Sequence, residues 1–441
     1  MASAIHLGEL PPVYKIDLSL RPADRYVRVA EEYCDVLKSI TRLFDELVES
    51  ISPNIPVKWV KHLARLFLRR LYTDEETQEI KGISRVTGIE MYLLVSLNVL
   101  LDLLMGCTSG AALAKDNAYG DDEHRLLHFR TLDWGMDSLR KLLVRFEFVR
   151  SPDYSTVLAT NISYVGFVGV LTGVRKGLSV SLNFRPNHDT DGLFSNYRYY
   201  GNHLLVLLGI RRSISSMLRQ YIIPSGGAAK PLSLTEILPM VMHAPSTAAY
   251  LIFCDGIEAF VLEKDHRKAT LRSDSAFIVA TNSDHITPSP SKHKKGPGEH
   301  LGAALGTGVP VSINDFIQES NERKVCMQSH WDKKLARARR VKPSPTNARQ
   351  DPLRRTRSSQ RHSSNSPTSL RATTLSNKHK SRTAFEPEVT ATTREIIDWT
   401  AMYPTTNEMT HFSAIMDPSA GRVVWIRRFL EPLSLELTDS D

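Results

Sequence analysis

A cysteine that could act as a nucleophile lies at the junction between two sequence patterns. Cys107 follows a helical stretch and begins a strand-like one, and a second strand-like stretch contains Arg130 and Asp133. The glycine and aspartates at 118–122 favour a chain reversal between the two. A hairpin symmetric about residue 120 would place Cys107 opposite Asp133, with Arg130 nearby. A thiol, a carboxylate and a guanidinium would then converge at one end of two paired strands.

Six blocks of this sequence resemble the acid ceramidase and N-acylethanolamine acid amidase family, whose members are N-terminal-nucleophile amide hydrolases. The resemblance extends over about 12–333 and about 385–433 of the 441 residues. No single block is decisive, but the number of blocks and their order make the resemblance specific. The blocks are 14–20, 107–109, 130–133, 166–173, 280–284 and 404–408.

The resemblance implies that the chain cuts itself before Cys107 and that the freed residue is both nucleophile and base. A thiol is mostly protonated at neutral pH and needs a base before it can attack a carbonyl. After the bond between Gly106 and Cys107 is cut, the new α-amine lies on the same residue and titrates near pH ~8 in model peptides. No histidine is then needed, and the small Gly106 would permit a strained backbone at the cut. The alternative is a buried cysteine without a chemical role.

The resemblance also implies roles for four other residues. Asp133 would hold the α-amine through a charge-assisted hydrogen bond, and Arg130 would fix Asp133 and orient the thiolate or the substrate carbonyl. Asn282 follows a strand and would stabilise the oxyanion through its side-chain amide. Arg323 would correspond to a later active-site arginine. The alternatives are that Asp133 and Asn282 are ordinary turn residues and that Arg130 forms a weak ion pair at the surface.

One position departs from the family pattern. The family commonly has an acidic residue where this chain has Phe184, directly after Leu182 and Asn183. The role that the family gives to that acidic residue is therefore open here, and the replacement could change substrate preference.

The positive charge of the chain is concentrated in one segment. The formal net charge is +8, but residues 333–382 alone contain fifteen Lys or Arg and one Asp. The part at 341–384 is rich in Ser, Thr, Arg, Asn and Pro and has few large apolar side chains, which predicts disorder. It has no interleaved aromatic residues, so a solvated linker is favoured over a nucleic-acid-binding segment.

Four cysteines without paired metal-ligand spacing predict neither a zinc site nor a disulfide framework, and we expect no metal or cofactor. The N-terminal residues 1–12 lack the apolar core of a secretory signal. The longest apolar run, 91–105, is too short to cross a bilayer. These patterns predict a soluble cytoplasmic protein, unlike the lysosomal members of the family.

The elements fit one α+β fold, an αββα sandwich of the N-terminal-nucleophile type. Helices are predicted at 22–50, 56–72 and 91–105, strands dominate from 107 to about 290, and a helix at 311–340 precedes the basic segment. The chain divides into a flexible N-terminus at 1–12, a helical α-chain region at 13–106, a hydrolase domain at 107–333, a disordered basic insertion at 334–384, the C-terminal part of the hydrolase domain at 385–433 and a tail at 434–441.

The helix at 56–72 has a basic face and an opposite face with Trp59 and Phe67, which is typical of a membrane-surface helix or of an ordinary packed amphipathic helix. The resemblance implies a lipid amide as substrate and two cleaved chains that stay together. Our hypothesis is a ceramidase that releases a sphingoid base and a fatty acid. An N-acylethanolamine amidase and a non-catalytic lipid-binding or scaffold homologue are the alternatives.

Overall fold

The computed structural model of the chain describes residues 8–51, 56–100, 106–115, 124–186, 195–224, 230–285, 313–340 and 389–433. Within these stretches the chain forms thirteen strands: β1 Val13–Asp17, β2 Gly106–Ala114, β3 Arg125–Asp133, β4 Leu143–Val149, β5 Ala159–Tyr164, β6 Thr172–Arg175, β7 Leu178–Phe184, β8 Ser246–Cys254, β9 Ala259–His266, β10 Lys268–Asp274, β11 Phe277–Ala280, β12 Thr410–Asp417 and β13 Arg422–Arg428.

The same stretches contain twelve α-helices and a 3-10 helix at Asp137–Leu142. The α-helices are α1 Pro22–Arg25, α2 Val27–Glu32, α3 Cys34–Ser39, α4 Arg42–Ile51, α5 Val57–Phe67, α6 Asp74–Thr87, α7 Met91–Leu100, α8 Ser195–Leu207, α9 Ile214–Ile222, α10 Leu234–His243, α11 Ile313–Arg340 and α12 Thr393–Ala401. None of these described helices is long and apolar enough to cross a membrane.

Two β-sheets pack face to face between layers of helices. The larger sheet has eight strands in the order β1-β4-β5-β6-β7-β8-β9-β10, and the smaller has five in the order β11-β2-β3-β12-β13. Strand β2 contacts β7, β8 and β9 across the interface; α8, α9 and α10 contact the larger sheet, and α11 and α12 the smaller one. This arrangement confirms the predicted αββα sandwich.

The central strands are buried on both faces. Every residue of β3 except Arg125 is buried, and its apolar side chains belong to three different clusters. Leu132 packs in the large core next to the eight-stranded sheet. Phe129 packs on the other face with Met327 and Trp331 of α11. Side chains one residue apart in this strand therefore lie in different layers of the fold.

Several predicted elements have different bounds in the structure. The helix predicted at 22–50 is divided into α1 to α4, and that predicted at 56–72 ends at Phe67. The sequence analysis missed α6, although Thr73 caps its first turn and Gly88 ends it with φ +73°. The hairpin of β6 and β7 begins at Thr172 and turns at Lys176-Gly177. The reversal at 118–122 and nearly all of the 334–384 insertion lie outside the described residues.

Candidate active site

The ladder between β2 and β3 sets the geometry of the site. Asp133 pairs with Gly106, so the predicted pairing of Asp133 with Cys107 is wrong by one residue, and Ser109 pairs with Arg130. The centre of this ladder lies between residues 119 and 120, half a residue before the expected position. Because side chains alternate along a strand, Cys107 and Arg130 face the eight-stranded sheet, whereas Asp133 faces α11.

Cys107 is completely buried in this intact chain. Its backbone nitrogen donates a hydrogen bond to the side-chain oxygen of Asn282 at 2.7 Å. Its thiol lies 3.8 Å from the carbonyl oxygen of Leu182. Burial raises the pKa of the thiol to about 11, although the positive charges of Arg130 and Arg323 act in the opposite direction. At neutral pH the thiol is therefore protonated until a base is available to it.

Arg130 joins the two sheets behind the cysteine. Its guanidinium donates to the carbonyl oxygen of Leu182 at 2.8 Å, to Ser109 Oγ at 2.9 Å and to the side-chain oxygen of Asn183. It lies on the opposite face of the sheet from Asp133, so it does not hold that carboxylate as expected. Arg130 instead ties β2 and β3 to β7, next to the thiol.

Asp133 is buried among groups that compensate its charge only in part. Thr410 Oγ1 donates to its Oδ1 at 2.7 Å, and Arg323 Nε lies 3.6 Å from its Oδ2. That Oδ2 accepts no hydrogen bond from any described residue. Burial raises the pKa of the carboxyl, while Arg323 and Thr410 act against this rise. A Cβ at Gly106 would lie 3.2 Å from the Asp133 Cβ, so a glycine permits this close approach.

Asn282 connects the cysteine to Arg323. Its side-chain oxygen accepts from the Cys107 nitrogen and, at 3.1 Å, from Arg323 Nη2. Its side-chain nitrogen donates to the Phe184 carbonyl at 2.8 Å. Its backbone nitrogen donates to Ser320 Oγ of α11 at 2.7 Å. The amide oxygen, not the amide nitrogen, therefore faces the cysteine in the intact chain.

The structure brings all five predicted residues together, in two groups separated by the β2–β3 ladder. Cys107, Asn282, Arg323 and Asp133 form a continuous series of contacts, and Arg130 lies next to the thiol, on the face of the sheet opposite to Asp133. Within the described stretches we find no group of three or more His, Cys, Asp or Glu residues arranged to hold a metal ion.

Two side chains that hold these residues in place were not predicted from the sequence. Thr410 contacts Asp133 from 277 residues along the chain, and Ser320 holds the backbone at Asn282 from one helical turn before Arg323. Asn183 was noted only for its neighbour Phe184, yet it accepts from Arg130. The family pattern around Phe184 could have suggested a role for Asn183, because Asn183 is part of that pattern. No local pattern relates Thr410 to Asp133.

A cavity of about 240 Å³ opens beside the bond that would be cut. Gly106 and Asp133 line it together with Trp134, Arg323 and the segment 403–404, which follows α12. The cavity therefore offers space for a ligand directly next to the group of predicted site residues.

This chain is similar in sequence to proteins that are named as amidases and ceramidases. A family profile described as the beta subunit of N-acylethanolamine-hydrolyzing acid amidase matches residues 9–72. The Caenorhabditis elegans N-acylethanolamine-hydrolyzing acid amidase is 29% identical over 186 residues, which are 40% of this chain and 48% of the amidase. Human acid ceramidase is 29% identical over 189 residues, 40% of this chain and 45% of the ceramidase. The match thus spans just under half the length of these two relatives.

A more extended match has no known activity. An uncharacterized protein of Acanthamoeba polyphaga mimivirus is 22% identical over 274 residues, 62% of this chain and 78% of the viral protein. Among solved structures, the Caenorhabditis elegans N-acylethanolamine-hydrolyzing acid amidase ortholog superposes with a TM-score of 0.41 and 16% identity, covering 71% of this chain and 93% of the ortholog. The sequence matches confirm the resemblance seen in the motifs: parts of this chain are similar to acid ceramidases and to N-acylethanolamine-hydrolyzing acid amidases.

Proposed function

We propose that this chain is an N-terminal-nucleophile hydrolase that cuts itself between Gly106 and Cys107 and then cleaves the amide bond of an N-acyl lipid. The observation that carries the proposal is the contact between the Cys107 nitrogen and Asn282, 2.7 Å long. The nitrogen that would become the catalytic base is already held by a neutral acceptor, and the thiol is on the same residue.

Self-cleavage begins with attack of the Cys107 sulfur on the carbonyl carbon of Gly106. The thiol proton passes to the Cys107 nitrogen as the carbon–nitrogen bond breaks, which leaves a thioester. Water then hydrolyses the thioester to a carboxylate at Gly106 and a free thiol on Cys107. Asn282 accepts a hydrogen bond from the same nitrogen before and after the cut.

Turnover uses the new α-amine as the base. It takes the thiol proton, the thiolate attacks the substrate carbonyl, and the resulting α-ammonium returns the proton to the departing amine. Water hydrolyses the acyl thioester and releases the fatty acid. Asn282 supplies a hydrogen-bond donor to the oxyanion in this scheme, which requires its amide group to leave the Phe184 carbonyl.

Within this reaction class, ceramide is the proposed substrate, and human acid ceramidase is among the relatives that support it. An N-acylethanolamine is the second candidate, because the family profile at residues 9–72 and the nematode relative both carry that name. A non-catalytic scaffold is the candidate from another class, favoured by Phe184 at a position that is commonly acidic in the family.

The chain contains the contacts that would keep two cleaved pieces associated. Strand β1, before the cut, pairs in parallel with β4, after it. Arg219 forms a buried ion pair with Glu79 at 2.7 Å. Asn98 donates to the Gly166 carbonyl and accepts from the Val168 nitrogen, each at 2.8 Å. We expect the two pieces to form one stable unit.

Helix α5 is the proposed site of membrane contact. Trp59 is 66% exposed, and Leu63, Leu66 and Phe67 are each about half exposed on the same side of the helix. The exposed bases Lys58, His62, Arg65 and Arg69 flank them. An apolar stripe flanked by bases fits a bilayer surface that contains anionic lipids, and a lipid amide must be extracted from such a surface.

The experiment is the intact mass of wild type and Cys107→Ala after incubation at mildly acidic and neutral pH, with and without vesicles. Cys34→Ala, a cysteine in α3, is the matched control. Wild type and the control should yield pieces that end at Gly106 and begin at Cys107, while Cys107→Ala stays whole. Cleaved protein is then assayed for fatty acid released from ceramide and from an N-acylethanolamine with the same acyl chain. An uncut wild type under every condition would favour the scaffold.

A further inference from the structure

The cavity beside Gly106 and Asp133 has an acidic mouth. Three glutamates line it: Glu319 and Glu322 on α11, and Glu408 after α12. Arg323 is the one cation among the described residues that line this cavity. Because Arg323 already faces Asp133 and donates to Asn282, its charge is used within the site, and the mouth keeps an excess of negative charge.

The three glutamates lack compensating partners. None of them forms an ion pair with a residue in the described part of the chain; Glu322 accepts a hydrogen bond from the neutral Gln318 at 3.2 Å. Residues three and four apart share one side of a helix, so Glu319, Glu322 and Arg323 project together. Burial raises the pKa of Glu319; the charge of Arg323 acts against this rise, and the charges of Glu408 and Glu322 add to it.

The inner wall offers two buried polar atoms without a hydrogen bond. Asp133 is 3% exposed and Trp134 is 1% exposed, and both line the cavity. Asp133 Oδ2 accepts no hydrogen bond and Trp134 Nε1 donates none to any described residue. Buried polar groups of this kind are normally satisfied, so an acceptor and a donor remain available to a ligand. The carboxylate favours a ligand group that donates hydrogen bonds.

Aromatic side chains complete the lining. Phe316, on α11, and Tyr403, which follows α12, both belong to the cavity wall. An aromatic face attracts a cation that lies within about 6 Å of its ring centre. Carboxylates, an unpartnered acceptor and aromatic faces together fit an ammonium group better than an anion.

We propose that this cavity is a cation-selective subsite, which accepts N-acyl amides with a cationic or neutral head group and rejects those with an anionic one. The inference rests on the proposed function and names the substrate class within it. A carboxylate or phosphate head group would be placed among Glu319, Glu322 and Glu408 with no free cation to meet it. An ammonium would meet three carboxylates and the Asp133 oxygen that accepts no hydrogen bond.

The test compares three amides of octanoic acid that differ in the charge of the head group. They are the amides of ethylenediamine, ethanolamine and glycine, which are cationic, neutral and anionic. Cleaved protein should hydrolyse the glycine amide with a kcat/KM at least about tenfold below that of the ethylenediamine amide, and added salt should reduce the difference. Glu319→Gln, Glu322→Gln and Glu408→Gln combined should make the three values nearly equal.

A charge-matched control and a binding measurement keep the test decisive. Glu31→Lys changes the charge of an exposed residue on α2 and should leave the order of substrates unchanged. Glu322→Lys at the mouth should raise the relative rate with the glycine amide. If all three amides are hydrolysed and the ratios of their kcat/KM values are the same in every mouth variant, the subsite proposal is wrong, whereas the proposed hydrolase activity is unaffected. If no amide is hydrolysed, the proposed function fails, and calorimetric binding of the three amides to Cys107→Ala decides the subsite separately.

Discussion

The backbone nitrogen of Cys107 and the side-chain oxygen of Asn282, 175 residues apart in the chain, lie 2.7 Å from each other. The contact joins the start of β2 to the end of β11, two strands that pair in the same sheet. If the chain is cut before Cys107, this oxygen remains beside the new α-amine. Asn282 would then hold the base, a role that the sequence had suggested for Asp133.

Asn282→Ala should slow both self-cleavage and turnover by roughly 10²-fold, since it removes an oriented polar group from a buried reacting centre. Asn282→Asp should instead raise the pKa of the α-amine by about one unit, because a carboxylate favours the charged ammonium. The base must be neutral to act, so the acidic limb of the kcat/KM profile should move to higher pH. Cleavage of Asn282→Ala at the wild-type rate, with an unchanged melting temperature, would contradict this role.

Gly106→Ala should slow self-cleavage. The added methyl group would lie 3.2 Å from the Asp133 Cβ, a tight contact that requires Asp133 to shift by a few tenths of an ångström. Gly201→Ala in α8 is the control, because a Cβ there meets no atom within 4 Å. The half-time of cleavage is followed by intact mass for both variants. Equal half-times would show that the close approach to Asp133 has no influence on the cut.

The elements were easiest to predict where local signals agreed. Helix α11 ends at Arg340, where the helix predicted at 311–340 also ends. The register of β2 and β3 was harder, because both faces of these strands are buried and apolar alternation does not specify it. A shift of one residue was enough to move Asp133 to the other face from Cys107.

The candidate site shows the same limit. The family resemblance, together with the expected hairpin, pointed to five residues, and all five lie together. Their partners could not be predicted, because Thr410 reaches Asp133 only after β12 pairs with β3, and Arg323 reaches Asn282 only after α11 packs on β11 and β2. Such contacts depend on the tertiary fold, and no spacing within the chain encodes them.

Thr410→Val should raise the pKa of Asp133, because it removes a hydrogen bond of 2.7 Å that stabilises the charged carboxylate. If catalysis needs that carboxylate ionised, activity should be lost at low pH and retained at higher pH. The acidic limb of the kcat/KM profile should therefore shift to higher pH. Thr410→Ser keeps the hydroxyl and should restore the wild-type profile. The measurement is kcat/KM against pH for both variants. Identical profiles for Thr410→Val and Thr410→Ser would show that the Thr410 hydroxyl does not influence the pKa of Asp133.

Trp59→Ser combined with Phe67→Ser should reduce the affinity for vesicles by about tenfold or more, since two large apolar side chains would no longer enter the interface. Ile257→Ser is the control, because Ile257 is 78% exposed but lies in the turn between β8 and β9. Cosedimentation with vesicles that contain phosphatidylserine measures the effect, and vesicles of phosphatidylcholine alone report the contribution of the bases. Unchanged binding of the double variant would exclude α5 as the contact.

Glu79→Gln should weaken the association between the parts of the chain before and after the cut. Glu79 is buried between Arg219 and Arg25, so removing its charge leaves two buried guanidinium groups that share only the partly exposed Glu75 as a counter-charge. Removing one partner of such a pair costs about 3–5 kcal/mol. Urea unfolding of the uncut Cys107→Ala chain measures the loss, and size-exclusion chromatography of cleaved protein shows whether the pieces separate. Arg394→Ala, which breaks an exposed pair on α12, should cost less than about 1 kcal/mol. Equal effects of the two changes would mean that the buried pair does not hold the pieces together.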